Sequence, residues 1–160
     1  MLILNKFPNF ASKNSTNMRA TIDNMTEMFK ECNEKYFNNV LPRPRFAVMH
    51  SWGKSGEFIY IPTNGRIKKR SIYMTDCYDF TESQFRDIMV HEMIHYFIAF
   101  NHIKDDDDHG TAFMRMAQKL NDDYGLNITK KIDVCPKRHT PKNKTHKLLI
   151  KIKSFLSKLY

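Results

Sequence analysis

The sequence lacks several features that define large classes of protein. Its three cysteines, Cys32, Cys77 and Cys135, are far apart and form no CxxC pair, which argues against a disulfide framework and a cysteine-rich zinc site. No uninterrupted apolar stretch approaches the roughly 18 residues needed to cross a bilayer, and the apolar N-terminus is interrupted at Asn5, too early for a signal peptide. No internal repeat is present. We therefore expect a soluble protein of the reducing cytoplasm.

Positive charge is concentrated near the C-terminus. The net charge of the 160 residues is +9, and residues 130–160 hold ten Lys and Arg residues against the single acidic residue Asp133. Residues 1–129 contain 16 residues of each sign and are neutral. A cationic tail on a neutral body indicates an anionic partner, either nucleic acid or a membrane surface. It is equally consistent with a tail that only increases solubility and binds no partner.

The patterning in the first half of the chain predicts a single α+β domain. Apolar residues recur with a 4-3-4-3-4 spacing over residues 18–36, which predicts an N-terminal amphipathic helix that ends before Pro42. Three β-rich runs then follow, separated by turn signals, and they predict a small three-stranded antiparallel meander at residues 45–52, 57–62 and 70–75.

Two further helices are predicted in the second half. Residues 81–84, TESQ, have the form of a capping box, so a helix should begin there and run to about Asn101. Because it is apolar on nearly every side, we expect this helix to be buried. After an acidic run at residues 105–108, a helix fits residues 111–124 and should end at Gly125.

Three polar residues interrupt the apolar segment 88–100, namely His91, Glu92 and His95. On a helix, side chains four residues apart point the same way, so His91 and His95 can bind one ion. Glu92 lies close enough to act on a ligand of that ion, which is the HExxH arrangement of zinc hydrolases. Only about 0.01 chance matches are expected in a chain of this composition. Ordinary core residues of these types would each cost on the order of 1–3 kcal/mol if left unpaired.

The third metal ligand is left open by the spacing. Metzincins have Gly and His where this chain has Ile98 and Asn101, and no Glu follows Glu92 to serve as a gluzincin ligand. The candidates are therefore His109, one of the aspartates 105–108, and His102. His109 is the best placed of these, because a loop returns the chain to the start of the next helix at that residue.

Several short motifs in this order resemble one known family. HEMIH (91–95), HGTAF (109–113) and NEKYFNNVLPRP (33–44), together with SIYMTDCYDF (71–80), are similar to the SprT-like zinc metallopeptidase domain. That family comprises bacterial relatives of the Spartan DNA-protein crosslink proteases. The resemblance covers about residues 18–127.

The resemblance implies a specific site and activity. It implies that His91, His95 and His109 bind one Zn²⁺ ion, that Glu92 is the catalytic base, and that the chain is a zinc-dependent endopeptidase acting on peptides or on DNA-associated proteins. An extended substrate could add a strand beside residues 71–75, if that run is a sheet edge. The alternative hypothesis is a zinc-stabilised nucleic-acid-binding module with weak or no peptidase activity.

The C-terminal part departs from the family pattern. Cys135 stands alone, so the paired cysteines of the family's zinc ribbon are missing. We divide the chain into an extension (1–17), the SprT-like domain (18–135), a linker (136–146) and a basic amphipathic helix (147–160). Lys147, Lys151 and Lys158 lie on the polar face of that helix and are candidate contacts to DNA phosphates, while its apolar face could instead pack on the domain or lie on a membrane surface.

Deletion of residues 144–160 tests the DNA hypothesis. If the tail lysines neutralise phosphates, the truncated protein should bind a DNA duplex more weakly at low salt, and its affinity should fall less steeply as salt rises. Fluorescence anisotropy at several salt concentrations measures both quantities. Unchanged binding, or no binding by either form, contradicts the hypothesis.

Overall fold

A computed structural model describes residues 17–63, 66–131 and 137–138 of the chain. These residues form three helices and five strands, and the predicted α+β class is confirmed: α1 (Ile22–Tyr36), β1 (Arg45–Met49), β2 (Gly56–Thr63), β3 (Arg66–Thr75), β4 (Tyr78–Asp79), α2 (Glu82–Phe100), α3 (Thr111–Tyr124) and β5 (Lys137–Arg138). The predicted C-terminal helix with Lys147, Lys151 and Lys158 lies outside the described residues. So do residues 1–16 and most of the predicted linker.

The predicted antiparallel meander is wrong, because the three-stranded sheet is mixed. Its strand order is β1-β3-β2, with β3 parallel to β1 and antiparallel to β2. After β1 the chain continues to β2, which forms the opposite edge of the sheet. β3 then lies between β1 and β2. Burial explains this order, since Ile72 and Met74 of β3 are fully buried whereas no described side chain of β2 is. β3, the strand with the most buried side chains, therefore occupies the centre of the sheet.

The sheet order also corrects the expected substrate edge. Residues 71–75 belong to β3, which has a neighbour on both sides, so they cannot accept a further strand. The edges of this sheet are β1 and β2. A second, two-stranded sheet pairs β4 with β5, so Lys137–Arg138 of the predicted linker lies beside Tyr78–Asp79.

The helices follow their predicted local signals closely. The capping box of α2 is confirmed, with the Gln84 N–H donating to the Thr81 hydroxyl and the Thr81 N–H to the Gln84 side chain. α3 ends as predicted at Gly125, whose φ of 66° is the left-handed conformation that favours glycine. Only the start of α1 differs: the Thr21 side chain caps the helix, and Met18 instead forms a bridge with Phe80.

α2 lies at the centre of the core, as its apolar composition predicts. It packs against α1, α3, β2 and β3. On the sheet side, the Phe58 ring of β2 stacks on Tyr96 with ring centroids 5.1 Å apart. None of the helices in the described part of the chain is long and apolar enough to cross a membrane.

The motif at residues 33–44 fixes the segment that follows α1. The buried side chain of Asn33 accepts the Leu41 N–H at 3.2 Å and donates to the Leu41 carbonyl at 2.9 Å. The next carbonyl, that of Pro42, accepts the Tyr96 hydroxyl at 2.8 Å. Both contacts satisfy backbone groups that no strand or helix pairs, and the second ties this segment to α2.

Substitution of Asn33 tests this role. Asn33→Ala would leave the Leu41 N–H and carbonyl without partners, so we expect the free energy of unfolding to fall by about 1–3 kcal/mol. The matched control is Glu34→Ala, an exposed neighbour on the same helix, whose effect should stay within about 0.5 kcal/mol. Urea denaturation measures both variants. Equal stabilities would show that the Asn33 contacts contribute nothing.

Candidate metal centre

Three imidazole rings converge at the surface of α2. The Nε2 atom of His91 lies 3.3 Å from that of His95 and 3.0 Å from that of His109, and the last two atoms are 3.2 Å apart. His91 and His95 are one turn apart on α2, and His109 directly precedes the N-cap of α3. The structure therefore brings together the two helical histidines and the loop histidine.

This arrangement fits one shared cation better than hydrogen bonding. A neutral imidazole nitrogen carries either one proton or one lone pair, so three Nε2 atoms that face one another cannot all be paired by hydrogen bonds. In a tetrahedral zinc site with Zn–N distances of about 2.0–2.1 Å, the ligand nitrogens lie about 3.3 Å apart. The observed separations of 3.0 to 3.3 Å are close to that value. The three residues could thus hold a metal ion.

The acidic loop before His109 shapes the start of α3. Asp105 accepts the backbone N–H groups of Ala112 and Phe113, both at 2.9 Å, and Asp106 accepts that of Thr111 at 2.7 Å. These carboxylates satisfy N–H groups that have no partner within the helix, and their charge favours its N-terminus. They hold the loop and α3 together, which positions the histidine between them.

The other candidate third ligands lie elsewhere. The Asp107 side chain accepts the N–H of Asp108 at 2.8 Å. Asp108 faces the opposite side of the rings, with its carboxylate 3.8 Å from Nδ1 of His95 and 3.6 Å from Nδ1 of His109. His102 is an exposed residue beyond the end of α2, with a φ of 54°. None of these residues reaches the Nε2 cluster in the described structure.

Burial keeps His91 and His95 in the form that binds metals. Removal from water lowers the pKa of His91 to about 3, and the neighbouring rings of His95 and His109 act in the same direction. Burial also lowers the pKa of His95, against the opposing charge of Asp108. The Phe113 ring packs against all three imidazoles, with centroid distances of 4.7 to 4.8 Å. Burial therefore favours the neutral form of His91 and His95, which is the form that metal ligands require.

Glu92 is the second unusual group at this site. Its side chain is only 4% exposed, and burial raises its pKa to about 8, although the backbone of Phe58 acts in the opposite direction. β2 lies very close to it: a Cβ atom added at Gly56 would be 2.7 Å from the carboxylate Oε1 and 2.9 Å from Ile88. Glycine therefore permits this approach of strand and helix.

The histidines and Glu92 line one cavity of about 780 Å³. One wall is α2 and another is the acidic loop. The third wall is β2, which contributes Glu57 and the alternate residues Gly56, Phe58, Tyr60 and Pro62. An edge strand thus borders the group of titratable residues.

The sequence does not predict three contributors to the site. Gly56 lies among the turn residues between the first two predicted strands, and a glycine at the start of a strand can also mark a close backbone approach. The spacing makes Asp108 a candidate metal ligand, whereas in the structure it faces the outer ring nitrogens. The cavity wall formed by β2 depends on the strand order, which differs from the predicted one.

Comparison with known proteins agrees with the geometry. A model of the SprT-like family matches residues 25–132, a segment that contains His91, Glu92, His95 and His109. No individual curated protein matches the chain. Because the matched segment spans well over half of the sequence, the chain belongs to the SprT-like family.

Proposed function

We propose that this protein is a zinc-dependent endopeptidase in which His91, His95 and His109 hold the metal and Glu92 is the general base. The observation that carries the proposal is the convergence of three Nε2 atoms within 3.3 Å in a cavity that Glu92 also lines. Neutral imidazoles suit zinc, and three protein ligands leave a fourth position open for catalysis.

The residues divide the work between binding and proton transfer. Bound zinc supplies a Lewis acid that polarises a peptide carbonyl and makes water more acidic. Glu92 accepts the proton of the attacking water and then donates it to the leaving amide nitrogen. A nearby cation favours the carboxylate form, so it would counteract the rise in the pKa of Glu92 that burial causes.

The substrate proposed for this cavity is an extended polypeptide. β2 is an edge strand, and edge strands can pair with an added chain through their backbone. Its Phe58 and Tyr60 rings stack 5.6 Å apart and offer an apolar wall, while Lys54 and Glu57 form an ion pair beside it. By the family resemblance, DNA-associated proteins are the proposed substrates, with the basic tail as a non-specific DNA contact.

Glu92 favours the enzyme over a zinc-stabilised binding module. A module of that kind needs the three histidines but has no use for a buried carboxyl group. Burying Glu92 opposes its ionisation, and such a cost is typical of residues kept for chemistry. The two hypotheses therefore differ in what the loss of this side chain should do.

Substitution of Glu92 and His109 separates metal binding from catalysis. Glu92→Gln should retain stoichiometric zinc while peptide cleavage falls by about 10²- to 10⁴-fold, because only proton transfer is lost. His109→Ala should weaken zinc binding itself. The measurements are zinc content by elemental analysis and cleavage of an unfolded protein substrate.

The matched control for the carboxyl group is Glu82→Gln, on the exposed first turn of the same helix. Its activity should match that of the wild type. Cleavage at the wild-type rate by zinc-loaded Glu92→Gln would refute the catalytic role of Glu92. Undiminished zinc affinity in His109→Ala would refute His109 as a metal ligand.

The pKa of Glu92 predicts how the stability of the metal-free protein depends on pH. The folded-state pKa of Glu92, about 8, exceeds the ordinary value of 4.5, so between these values the unfolded chain binds fewer protons and stability falls as pH rises. His91 acts oppositely, since its pKa of about 3 lies below 6.5, but its contribution is constant above pH 6.5.

The window from pH 6.5 to 8 therefore isolates Glu92. In the presence of a chelator, the free energy of unfolding should fall by about 1–2 kcal/mol across this window in the wild type and stay level in Glu92→Gln. Urea denaturation at several pH values gives both curves. Parallel curves would show that Glu92 is not a buried acid.

A further inference from the structure

A second group of metal-binding atoms lies at the end of the three-stranded sheet. His50 directly follows β1, and Asp76 and Cys77 directly follow β3. The Nδ1 atom of His50 is 2.7 Å from Oδ1 of Asp76 and 3.5 Å from Sγ of Cys77, and the last two atoms are 3.9 Å apart. Within the described residues, only this cluster and the histidine triad bring three such atoms together.

The three atoms also lie within hydrogen-bonding distance of one another. The Nδ1–H of His50 and the thiol of Cys77 can both donate to Oδ1 of Asp76. A tetrahedral zinc ion with one sulfur ligand would place that sulfur about 3.5 Å from each nitrogen or oxygen ligand. The observed sulfur distances, 3.5 and 3.9 Å, are near that value. A shared cation would replace both hydrogen bonds, and Nδ1 of His50 and Oδ1 of Asp76, which are 2.7 Å apart, would separate to about 3.3 Å as ligands of a tetrahedral ion.

We propose that His50, Asp76 and Cys77 form a second site for a divalent, thiophilic metal ion, with zinc as the ion of choice. Thiolate and imidazole ligands select zinc over magnesium or calcium, and the carboxylate and thiolate together neutralise its charge. The site is independent of the histidine triad, since it shares no residue with it.

The backbone holds these three side chains in place. The buried Thr75 hydroxyl donates to the Ser51 carbonyl at 2.6 Å and accepts the N–H groups of Ser51 at 3.1 Å and of Cys77 at 3.2 Å. The Asp76 N–H donates to the Met49 carbonyl at 3.0 Å. The two segments that carry the ligands are therefore fastened to each other before any ion binds, which lowers the entropic cost of binding.

Burial and access also suit an ion. Cys77 is 1% exposed, whereas the side chains of His50 and Asp76 are 71% and 42% exposed. The sulfur atom therefore lies on the buried side of the proposed site, and the other two ligands face solvent. Water can complete the coordination from that side. On the neighbouring surface, Trp52 packs against His50 and Tyr78, with ring centroids 6.1 and 5.6 Å apart.

The proposed ion would stabilise the loop that leads to the first cavity. Residues 50–55 connect β1 to β2, and Gly56 at the start of β2 makes the close approach to Glu92. An ion bound by His50, Asp76 and Cys77 would restrict the motion of the first residue of that loop. The role of this second ion is thus structural, whatever reaction the histidine triad carries out.

Cobalt substitution distinguishes the two sites in the full-length protein. Thiolate ligands give Co²⁺ an intense sulfur-to-metal charge-transfer band in the near ultraviolet, which a site of three histidines lacks. We expect the metal-free wild type titrated with Co²⁺ to develop this band, and His109→Ala to retain it. The band should be lost in Cys77→Ala and in His50→Ala.

The matched control is Cys32→Ala, since Cys32 is an equally buried thiol in the core that faces no other ligand atom of this cluster. It should keep the band. His50 is exposed, so its variant tests the site even if Cys77→Ala does not fold, which circular dichroism monitors. Absence of the band in the wild type, or its survival in either His50→Ala or folded Cys77→Ala, would overturn the proposal.

Discussion

The structure is organised around polar groups buried on a helix that is otherwise apolar. His91 and Glu92 are 5% and 4% exposed in the middle of α2, among buried apolar side chains. Unpaired groups of this kind are costly to bury, so the fold must supply partners. The backbone of β2 is that partner for Glu92, whereas Nε2 of His91 faces the rings of His95 and His109, where a metal ion could be shared. The acidic loop and the close approach of Gly56 both serve this arrangement.

Burial acts on the two kinds of group in opposite directions but to the same end. It lowers the pKa of His91 and raises that of Glu92, so without a cation both side chains are held in their neutral forms. Neutral imidazoles are ready to bind a metal. The carboxyl group, in contrast, would ionise readily only beside a positive charge, and this couples the proposed base to occupancy of the proposed metal site.

β2 connects the separate parts of the molecule. Its first residue, Gly56, touches Glu92, its Phe58 stacks on Tyr96 of α2, and its outer edge borders the cavity. Tyr96 in turn holds the segment after α1 through the carbonyl of Pro42. The loop that precedes β2 begins at His50, where we propose a second ion. The position of this strand thus depends on contacts at both ends and along its face.

Features of the structure that depend on neighbours a few residues apart could be predicted from the sequence alone. The capping box at Thr81, the stop at Gly125 and the common face of His91 and His95 follow from caps and helical periodicity, which act within about one turn. The order of the strands, the convergence of His109 with the two helical histidines, and the proximity of His50 and Cys77, 27 positions apart, appear only in the folded structure. Those outcomes depend on which surfaces are buried together, and local sequence does not encode that information.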